Sequence, residues 1–288
     1  KAHFEDSDLM ETSVSHQAYE ASRLDDSETH KMLSKTYPYT ILITEDDDEV
    51  RCFLERELSP HFKTRTAANG KDALRVLEEE EISLVVSDVM MPEMNGFELC
   101  RMIKSQLPFS HIPVILLTAL TDERQRIFGI TGGADDYIQK PFHTDYVKIK
   151  IIHLLQERQK LRERLLEKLR DNKLLLSEPE KVESIDDAFL RKFAEQIEAV
   201  YADPEYNVEK LSETLGLSRG HLHRKIKELT GTAPVEFLRT YRLNKATQLL
   251  RQNAYTVSEV AYRTGFSSPA YFSKCFKAVY GVTPTEYQ

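Results

Sequence analysis

The stretch ISLVVSDVMMP, residues 82–92, decides the fold of the first half of the chain. It is an apolar run that ends on a single carboxylate, Asp88, where a buried strand would end. An ionised aspartate is seldom fully buried unless it is paired or binds a metal. Asp88 is therefore either a turn residue at a strand end or a residue with a chemical role, and the segments around it help to choose between the two.

Short apolar runs alternate with helix-like stretches throughout residues 40–157. The pattern predicts strands at 40–44, 62–67, 82–88, 112–118 and 134–140. It predicts helices at about 47–58, 96–106, 122–133 and 143–156, and a turn followed by a helix within 67–81. Strands that alternate with helices of about ten residues indicate a parallel sheet with helices on both faces. The fold class expected here is therefore α/β, with five parallel strands in a doubly wound sheet.

Polar and charged residues follow the predicted strands at their carboxyl ends. In chain order these are the acidic run 45–48, Asp88, Thr118 and Lys140. Binding sites in parallel sheets lie beyond the carboxyl ends of the strands, so these groups should converge. Clustered carboxylates repel one another, and a hard divalent cation such as Mg2+ is their natural counter-ion. Asp88 could then act as a nucleophile that accepts a phosphoryl group.

Residues 40–157 resemble the receiver domains of two-component systems, with a flavodoxin-like fold. The motifs that carry the resemblance are ILITEDD, VVSDVMMPEMNGFEL, ILLTA and ADDYIQKPF. The resemblance implies a histidine kinase domain as the phosphoryl donor and a cis peptide between Lys140 and Pro141. It implies that Asp88 is the phosphoacceptor and that Thr118 and Lys140 contact the phosphoryl group. It further implies an aromatic switch at Tyr137 and Mg2+ ligands at Glu45, Asp46, Asp88 and the main-chain carbonyl of Met90.

Three further expectations concern the surroundings of Asp88. Met90 and Leu120 carry no group that could orient an attacking water, so a slowly hydrolysed phosphoryl-aspartate is predicted. Asp47 and Asp48 are predicted to cap a helix or to lie in its first turn rather than to bind metal. The rival function is a phosphohydrolase of the haloacid-dehalogenase type, because Asp46 and Asp48 form a D-x-D after the first strand. Glu49 and Val50 do not match that family, so the residues favour a phosphoacceptor that does not turn over.

The connector after the receiver-like segment allows two interpretations. Apolar residues recur with 4-3 alternation, at Val147, Ile151, Leu154, Leu161 and Leu165, interrupted at Arg158. This spacing is typical of a short coiled-coil seam. The alternative is a closing helix that packs on its own sheet and runs into a charged linker. The run is shorter than the three to four heptads that define a coiled coil by pattern alone.

A repeat occupies the end of the chain, where residues 208–238 align with 257–288. Each copy predicts a helix, a glycine turn at Gly216 or Gly265, and a second helix, which is the helix-turn-helix pattern. Two apolar stripes should form the core, Leu222, Ile226 and Leu229 in the first copy and Phe272, Phe276 and Val279 in the second. Basic and hydroxyl side chains on the opposite faces are suited to phosphates and base edges.

Residues 187–288 resemble AraC/XylS-type DNA-binding domains, which are all-α and carry tandem helix-turn-helix units. Residues 241–251 are similar to the helix that bridges the two units in that family. The resemblance implies double-stranded DNA as the partner, with the two recognition helices in successive major grooves. The residues predicted to contact DNA are Arg219, His223, Arg224, Lys227, Ser268, Ser273, Lys274 and Lys277.

Charge and composition fit this organisation. The net charge is −8, yet residues 207–288 hold twelve Lys/Arg against six Asp/Glu, and residues 1–36 hold eight Asp/Glu against four Lys/Arg. The three cysteines form no C-x-x-C pair, so neither a disulfide framework nor a zinc site is indicated. The predicted parts are an acidic linker or tail at 1–38, a receiver domain at 39–157, a helical linker at 158–186 and an AraC-type domain at 187–288.

The acidic head carries a third resemblance, to the segment that follows the kinase domain in hybrid two-component sensors. It implies that the chain is the cytoplasmic part of a longer, inner-membrane-anchored protein with its own histidine kinase activity. Many such hybrids control genes for polysaccharide use. The function expected is a sequence-specific transcription regulator in which phosphorylation of Asp88 favours a homodimer.

Overall fold

The structure is a computed structural model that describes residues 31–119, 133–170 and 184–288, without the side chains of 164–170. The chain divides into two compact units, the first ending at Arg158 and the second beginning at Gln159. The helix predicted at 122–133 and residue Leu120 lie outside the described residues. Each unit has its own set of internal contacts.

Five parallel strands form the sheet of the first unit. They are β1 (Thr40–Thr44), β2 (Lys63–Ala67), β3 (Leu84–Asp88), β4 (Val114–Thr118) and β5 (Asp136–Gln139). Their order in the sheet is β2-β1-β3-β4-β5. The register places Thr44 beside Ser87, Asp88 beside Leu117, and Thr118 beside Gln139. The predicted strands and their parallel arrangement are confirmed, and the carboxyl ends of β1, β3, β4 and β5 lie along one edge.

Four described helices accompany this sheet. They are α1 (Asp48–Leu58), α2 (Gly70–Glu79), α3 (Gly96–Ser105) and α4 (Thr144–Arg170). Side-chain caps explain where the first three begin: Asp47, Asn69 and Asn95 each accept hydrogen bonds from backbone N–H groups of the first turn. Such caps satisfy donors that the helix itself leaves unpaired.

Both faces of the sheet are buried, which confirms the doubly wound architecture. Ile41 and Ile43 on β1 belong to one core cluster, together with residues of α1 and α4. Leu42, between them in sequence, belongs to the other cluster, together with residues of α2 and α3. Successive side chains of a strand point to opposite faces, so β1 serves both cores. Burial of each such side chain stabilises the fold by about 1.5–3 kcal/mol.

The connector packs on the receiver over its first half, so the coiled-coil interpretation is wrong there. Val147 and Ile151 are fully buried in the first core cluster, and Leu154 packs against it. Their side chains fill the sheet face that α1 leaves open, so they cannot face a second helix. Leu161 lies beyond the sheet and is 66% exposed, and the side chain of Leu165 is not described.

Besides residues 159–170 of α4, the second unit contains seven helices of the described residues. They are α5 (Ile185–Val200), α6 (Val208–Leu215), α7 (Arg219–Thr230), α8 (Pro234–Arg251), α9 (Val257–Arg263), α10 (Pro269–Tyr280) and α11 (Pro284–Tyr287). The two predicted helix-turn-helix units are α6–α7 and α9–α10, and α8 joins them. Gly216 and Gly265, at the two turns, have φ angles of 69° and 79°. A left-handed backbone at these turns explains why both copies use glycine.

The predicted apolar stripes of α7 and α10 are fully buried at four of their six residues, and Leu229 on α7 is only partly buried. Leu222, Ile226, Phe272 and Phe276 are fully buried. Val279, in contrast, is exposed. Tyr280 packs against the core in its place, with its ring 4.6 Å from that of Phe276. A large ring at the next position therefore covers the core that Val279 was predicted to cover.

Two ordered segments extend beyond the predicted domain limits. Met32 and Tyr37, assigned to the acidic linker, pack against the receiver core, and the Tyr37 ring stacks on Phe62. Helix α5 begins before residue 187, and Ser184 caps it through a reciprocal hydrogen-bond pair with Asp187. Packing and capping thus place residues 31–38 in the first unit and residues 184–186 in the second.

Candidate functional site

Three carboxylates meet at the carboxyl edge of the sheet. One oxygen from each of Glu45, Asp46 and Asp88 lies within 4.8 Å of the other two. Glu45 and Asp88 are buried, whereas Asp46 is exposed. Anionic oxygens at this separation are the donor set that Mg2+ prefers, with space left for water or phosphoryl oxygens. The residues present therefore fit the magnesium ion that was predicted from the sequence.

Lys140 joins two of these carboxylates. Its Nζ donates to Asp88 Oδ1 at 2.7 Å and to Glu45 Oε2 at 2.9 Å. Burial lowers the pKa of Lys140, but the hydrogen bonds and charges of Asp88 and Glu45 outweigh burial and raise that pKa above its ordinary value. Burial raises the pKa of Glu45, against the hydrogen bond from Lys140. The peptide between Lys140 and Pro141 is cis, as the resemblance implied.

The backbone around Asp88 is tightly packed. The Gly96 N–H donates to the carbonyl oxygen of Val89 at 3.0 Å, and the Met90 N–H donates to Asp88 Oδ2 at 3.1 Å. A Cβ at Gly96 would lie 2.2 Å from the carbonyl oxygen of Asp88. Glycine at 96 therefore lets α3 begin directly against the end of β3. The side chain of Met90 is 66% exposed beside this carboxylate.

Arg51, which the sequence-based prediction missed, binds the backbone of the acidic pair. Its guanidinium donates to the carbonyl oxygen of Glu45 at 2.8 Å and pairs with the carboxylate of Asp48. Asp47 accepts from Glu49 N and Val50 N, so it is the predicted cap, and Asp48 lies in the first turn of α1. Because the Asp48 carboxylate is 84% exposed and held by Arg51, the geometry disfavours the D-x-D of a haloacid dehalogenase.

The remaining predicted receiver residues occupy the neighbouring strands. Thr118 ends β4, and its carbonyl oxygen accepts from the Lys140 N–H at 2.7 Å. Tyr137 lies on β5 and packs against the second core cluster. Burial raises the pKa of Tyr137 to about 12. Its hydroxyl is buried and has no hydrogen-bond partner among the described residues. Thr118 thus adjoins Lys140 through the backbone, while Tyr137 points its hydroxyl into the protein.

The residues predicted to contact DNA lie on the exposed sides of α7 and α10. Four are exposed or partly exposed on α7 and four on or before α10, and they are Arg219, His223, Arg224, Lys227, Ser268, Ser273, Lys274 and Lys277. Ser268 is also the N-cap of α10 and accepts from Tyr271 N. Ser273 donates to the carbonyl oxygen of Pro269 at 2.9 Å. The two serines therefore also cap or hydrogen-bond the first turn of α10, and the three lysines are exposed.

Lys225 departs from the surrounding pattern of α7. It stands among basic residues, yet its side chain is fully buried and forms a 2.6 Å ion pair with Asp186 on α5. Its Nζ also lies 5.1 Å from the centre of the Phe189 ring. The helical spacing could have revealed it, since Lys225 is next to Ile226 and three residues after Leu222 on the core side.

The comparisons with known families match both units. Residues 41–152 match the family of response regulator receiver domains, and residues 211–288 match a helix-turn-helix domain family. The chain therefore carries a receiver domain followed by an AraC-type helix-turn-helix DNA-binding domain. The two matched families thus place a receiver domain and a helix-turn-helix domain in one chain.

Individual relatives cover different parts of the chain. Histidine kinase P4 of Formosa agariphila is 37% identical over 265 residues, which are 92% of this chain and 19% of the kinase. Transcriptional regulatory protein GltR of Pseudomonas aeruginosa is 43% identical over 121 residues, 42% of this chain and 50% of GltR. The chain thus spans about a fifth of the first relative and half of the second.

One solved structure belongs with these relatives. It is the signal receiver domain of a signal transduction histidine kinase from Syntrophus aciditrophicus, 38% identical, with a TM-score of 0.40. The match covers 41% of this chain and 91% of the chain in that structure.

None of the helices in the described ranges combines the length and the apolar character that a membrane span requires.

Proposed function

We propose that Asp88 accepts a phosphoryl group from a histidine kinase and thereby controls DNA binding by the C-terminal unit. The observation that carries this proposal is the position of Lys140, which contacts both Asp88 and Glu45 beside Asp46. A buried nucleophilic carboxylate, a cation and a set of metal-binding oxygens are the three components that phosphoryl acceptance requires.

In the proposed reaction a carboxylate oxygen of Asp88 attacks phosphorus. The P–O bond to Asp88 forms while the P–N bond to the donor imidazole breaks, and the imidazole leaves with the bonding electron pair. Glu45, Asp46, Asp88 and the Met90 carbonyl would hold Mg2+, which supplies positive charge to the phosphoryl oxygens. Lys140 would exchange its bond to Asp88 for a bond to a phosphoryl oxygen, and Thr118 would donate to another.

The phosphoryl-aspartate should be long-lived. Met90 is exposed beside Asp88, and its thioether cannot act as a base for an attacking water. The proposal is that hydrolysis is slow because no side chain at this position orients water.

The output step rests on Thr118 and Tyr137. Tyr137 is the switch in this proposal, because its buried hydroxyl could gain a partner if Thr118 moved toward the phosphoryl group. A shift at β4 and β5 would then favour a homodimer. Two copies of the DNA-binding unit bind more tightly than one because the second contact is intramolecular.

The donor kinase is proposed to lie in the same polypeptide. The similarity to histidine kinase P4 extends over 92% of this chain, which supports a hybrid sensor in which this chain is the response part. Anchoring at the inner membrane and control of polysaccharide-utilisation genes are further predictions from the resemblance to hybrid sensors.

The phosphorylation step is tested with the 288-residue chain and an acyl phosphate as the small phosphodonor. The wild type should take up one phosphoryl group per chain in the presence of Mg2+ and release phosphate slowly. Asp88→Asn should take up none, whereas Glu49→Gln, at an exposed acidic position of α1, should match the wild type. Continuous release of phosphate, or labelling of the Asp88→Asn chain, would contradict the proposal.

The output step is tested by sedimentation and by genomic footprinting of the same chains. Phosphodonor should raise the dimer fraction of the wild type and leave Asp88→Asn monomeric. Footprints that appear only with an intact Asp88 would identify the target genes. Equal self-association and equal footprints in both proteins would refute the coupling while leaving DNA binding intact.

A further inference from the structure

A cavity of about 280 Å3 lies in the second unit between the two helix-turn-helix units. Its wall includes residues at or near the amino ends of both recognition helices, Arg219 on α7 and Tyr271 on α10. Its floor is one face of the bridging helix α8. Val235, Leu238, Arg239 and Arg242 contribute to that face at the spacing i, i+3, i+4, i+7.

Two residues of the cavity lining share a helix stripe with residues predicted to contact DNA. Arg219 stands four residues before His223, so the two share one stripe of α7. Tyr271 stands three residues before Lys274, so these two share one stripe of α10. Both stripes therefore begin at the cavity, whose lining also includes a face of α8.

The cavity is positively charged. Three arginines line it against one carboxylate, Glu209. Arg242 donates to the carbonyl oxygens of Tyr201 and Asp203 at 2.7 and 2.6 Å, so it holds the backbone. Arg219 is paired with Glu209 at 2.7 Å. Arg239 has a looser partner, Glu236 at 3.3 Å in the preceding turn, and both side chains are over a third exposed.

Of the three arginines in the cavity lining, Arg239 therefore loses the least free energy when it exchanges its partner. An exposed ion pair within one helix contributes little to stability, because solvent screens it and two long side chains lose freedom to form it. When two recognition helices enter successive major grooves, the backbone between the grooves must pass over the surface that separates them. Here that surface is the α8 floor, and phosphate contacts supply much of the affinity of protein–DNA complexes.

We propose that Arg239 binds the DNA sugar-phosphate backbone between the two grooves, a contact outside both recognition helices. This inference rests on the proposed DNA-binding function of the unit. The contact carries no base information, so it sets affinity and position on the duplex rather than sequence preference.

The test measures binding of the 288-residue chain to a mixed-sequence duplex of about 25 bp, by fluorescence anisotropy over a range of NaCl concentrations. One lost phosphate contact should make the slope of log K against log salt shallower by about 0.9. Arg239→Ala should show this change, and Arg239→Lys should retain most of the slope. Arg191→Ala is the matched control, because Arg191 is an exposed α5 arginine paired with Glu195 within its helix.

Lys274→Ala, on the recognition face of α10, reports independently on DNA binding and should also make the slope shallower. If Lys274→Ala does so while Arg239→Ala keeps the wild-type slope, the Arg239 contact is refuted and DNA binding stands. An equal change in Arg191→Ala and Arg239→Ala would indicate an effect of net charge alone and would likewise refute it. If the wild type binds no duplex, the proposed function fails and the Arg239 contact fails with it.

Discussion

The ammonium group of Lys225 lies 2.6 Å from a carboxylate oxygen of Asp186, although Lys225 is fully buried within a recognition helix. Asp186 belongs to the first turn of α5, so this pair ties α5 to α7. The Phe189 ring lies beside the ammonium and replaces part of its lost hydration. The α5 helix is therefore a structural part of the DNA-binding unit.

Removal of the anionic partner should destabilise this unit. Asp186→Ala leaves a buried ammonium without its carboxylate, and we expect the free energy of unfolding to fall by about 2–3 kcal/mol, less than for a fully enclosed pair because Asp186 is partly exposed. Lys225→Met combined with Asp186→Ala should regain most of that loss, because no buried charge remains. Chemical denaturation measures these differences. Glu195→Ala, which breaks an exposed ion pair, is the control, and its unfolding free energy should stay within about 0.5 kcal/mol of the wild-type value.

Addition of one methyl group beside Asp88 should disturb the receiver. Gly96→Ala places a Cβ against the backbone carbonyl of Asp88, which cannot move aside as a flexible side chain could. We expect a loss of about 2 kcal/mol in unfolding free energy and reduced labelling by acyl phosphate. Gly220→Ala, within α7 and with nothing within 4 Å of its Cβ, should instead be neutral or stabilise by about 0.5 kcal/mol. Unchanged stability of Gly96→Ala would show that α3 can shift freely.

Replacement of Lys140 should expose the repulsion between the carboxylates. Lys140→Met leaves Asp88 and Glu45 without their common cation, and we expect the first unit to lose about 2 kcal/mol when Mg2+ is chelated. Added Mg2+ should raise the melting temperature of Lys140→Met more than that of the wild type, because the ion replaces the missing charge. An identical response to Mg2+ in both proteins would argue against shared binding at this cluster.

Removal of the buried hydroxyl of Tyr137 should stabilise the receiver. Tyr137→Phe deletes a polar group with no partner among the described residues, and a gain of about 1 kcal/mol is expected at neutral pH. The pKa of Tyr137 is raised to about 12 in the folded protein, whereas an unfolded tyrosine ionises near 10. Wild-type stability should therefore fall as pH rises from about 10 to 12, and this contribution should be missing in Tyr137→Phe. Tyr262→Phe, at an exposed site, should change neither the unfolding free energy at neutral pH nor its fall between about pH 10 and 12.

Much of the receiver could be predicted from local sequence. The strands at 40–44 and 82–88 are apolar runs with sharp ends, and parallel pairing forces those ends to one edge. The acidic run, Asp88 and Lys140 consequently meet as expected. Arg51 was missed because it binds the main-chain carbonyls of residues 45 and 46. Every residue has such a carbonyl, so the residue types at 45 and 46 do not predict this contact.

In the helical unit, too, some features follow from local sequence and others only from packing. Caps and turns are local, so Gly216, Gly265, Ser218 and Ser268 mark the helix limits in the sequence. Val279 was misassigned because the neighbouring Tyr280 reaches the same core and is larger. Apolar spacing on α4 suited either a coiled coil or a closing helix, and only contact with the sheet decided between them.

The sequence by itself determined the order and type of the described strands and helices and the chemical groups near their ends, because hydrophobic period, capping and glycine conformation act over a few residues. Tertiary structure alone decided which charges share a partner: Lys140 with Asp88 and Glu45, and Lys225 with Asp186. These relationships join residues far apart in the chain, and burial, which only the packed fold sets, fixes how strongly each charge needs its partner.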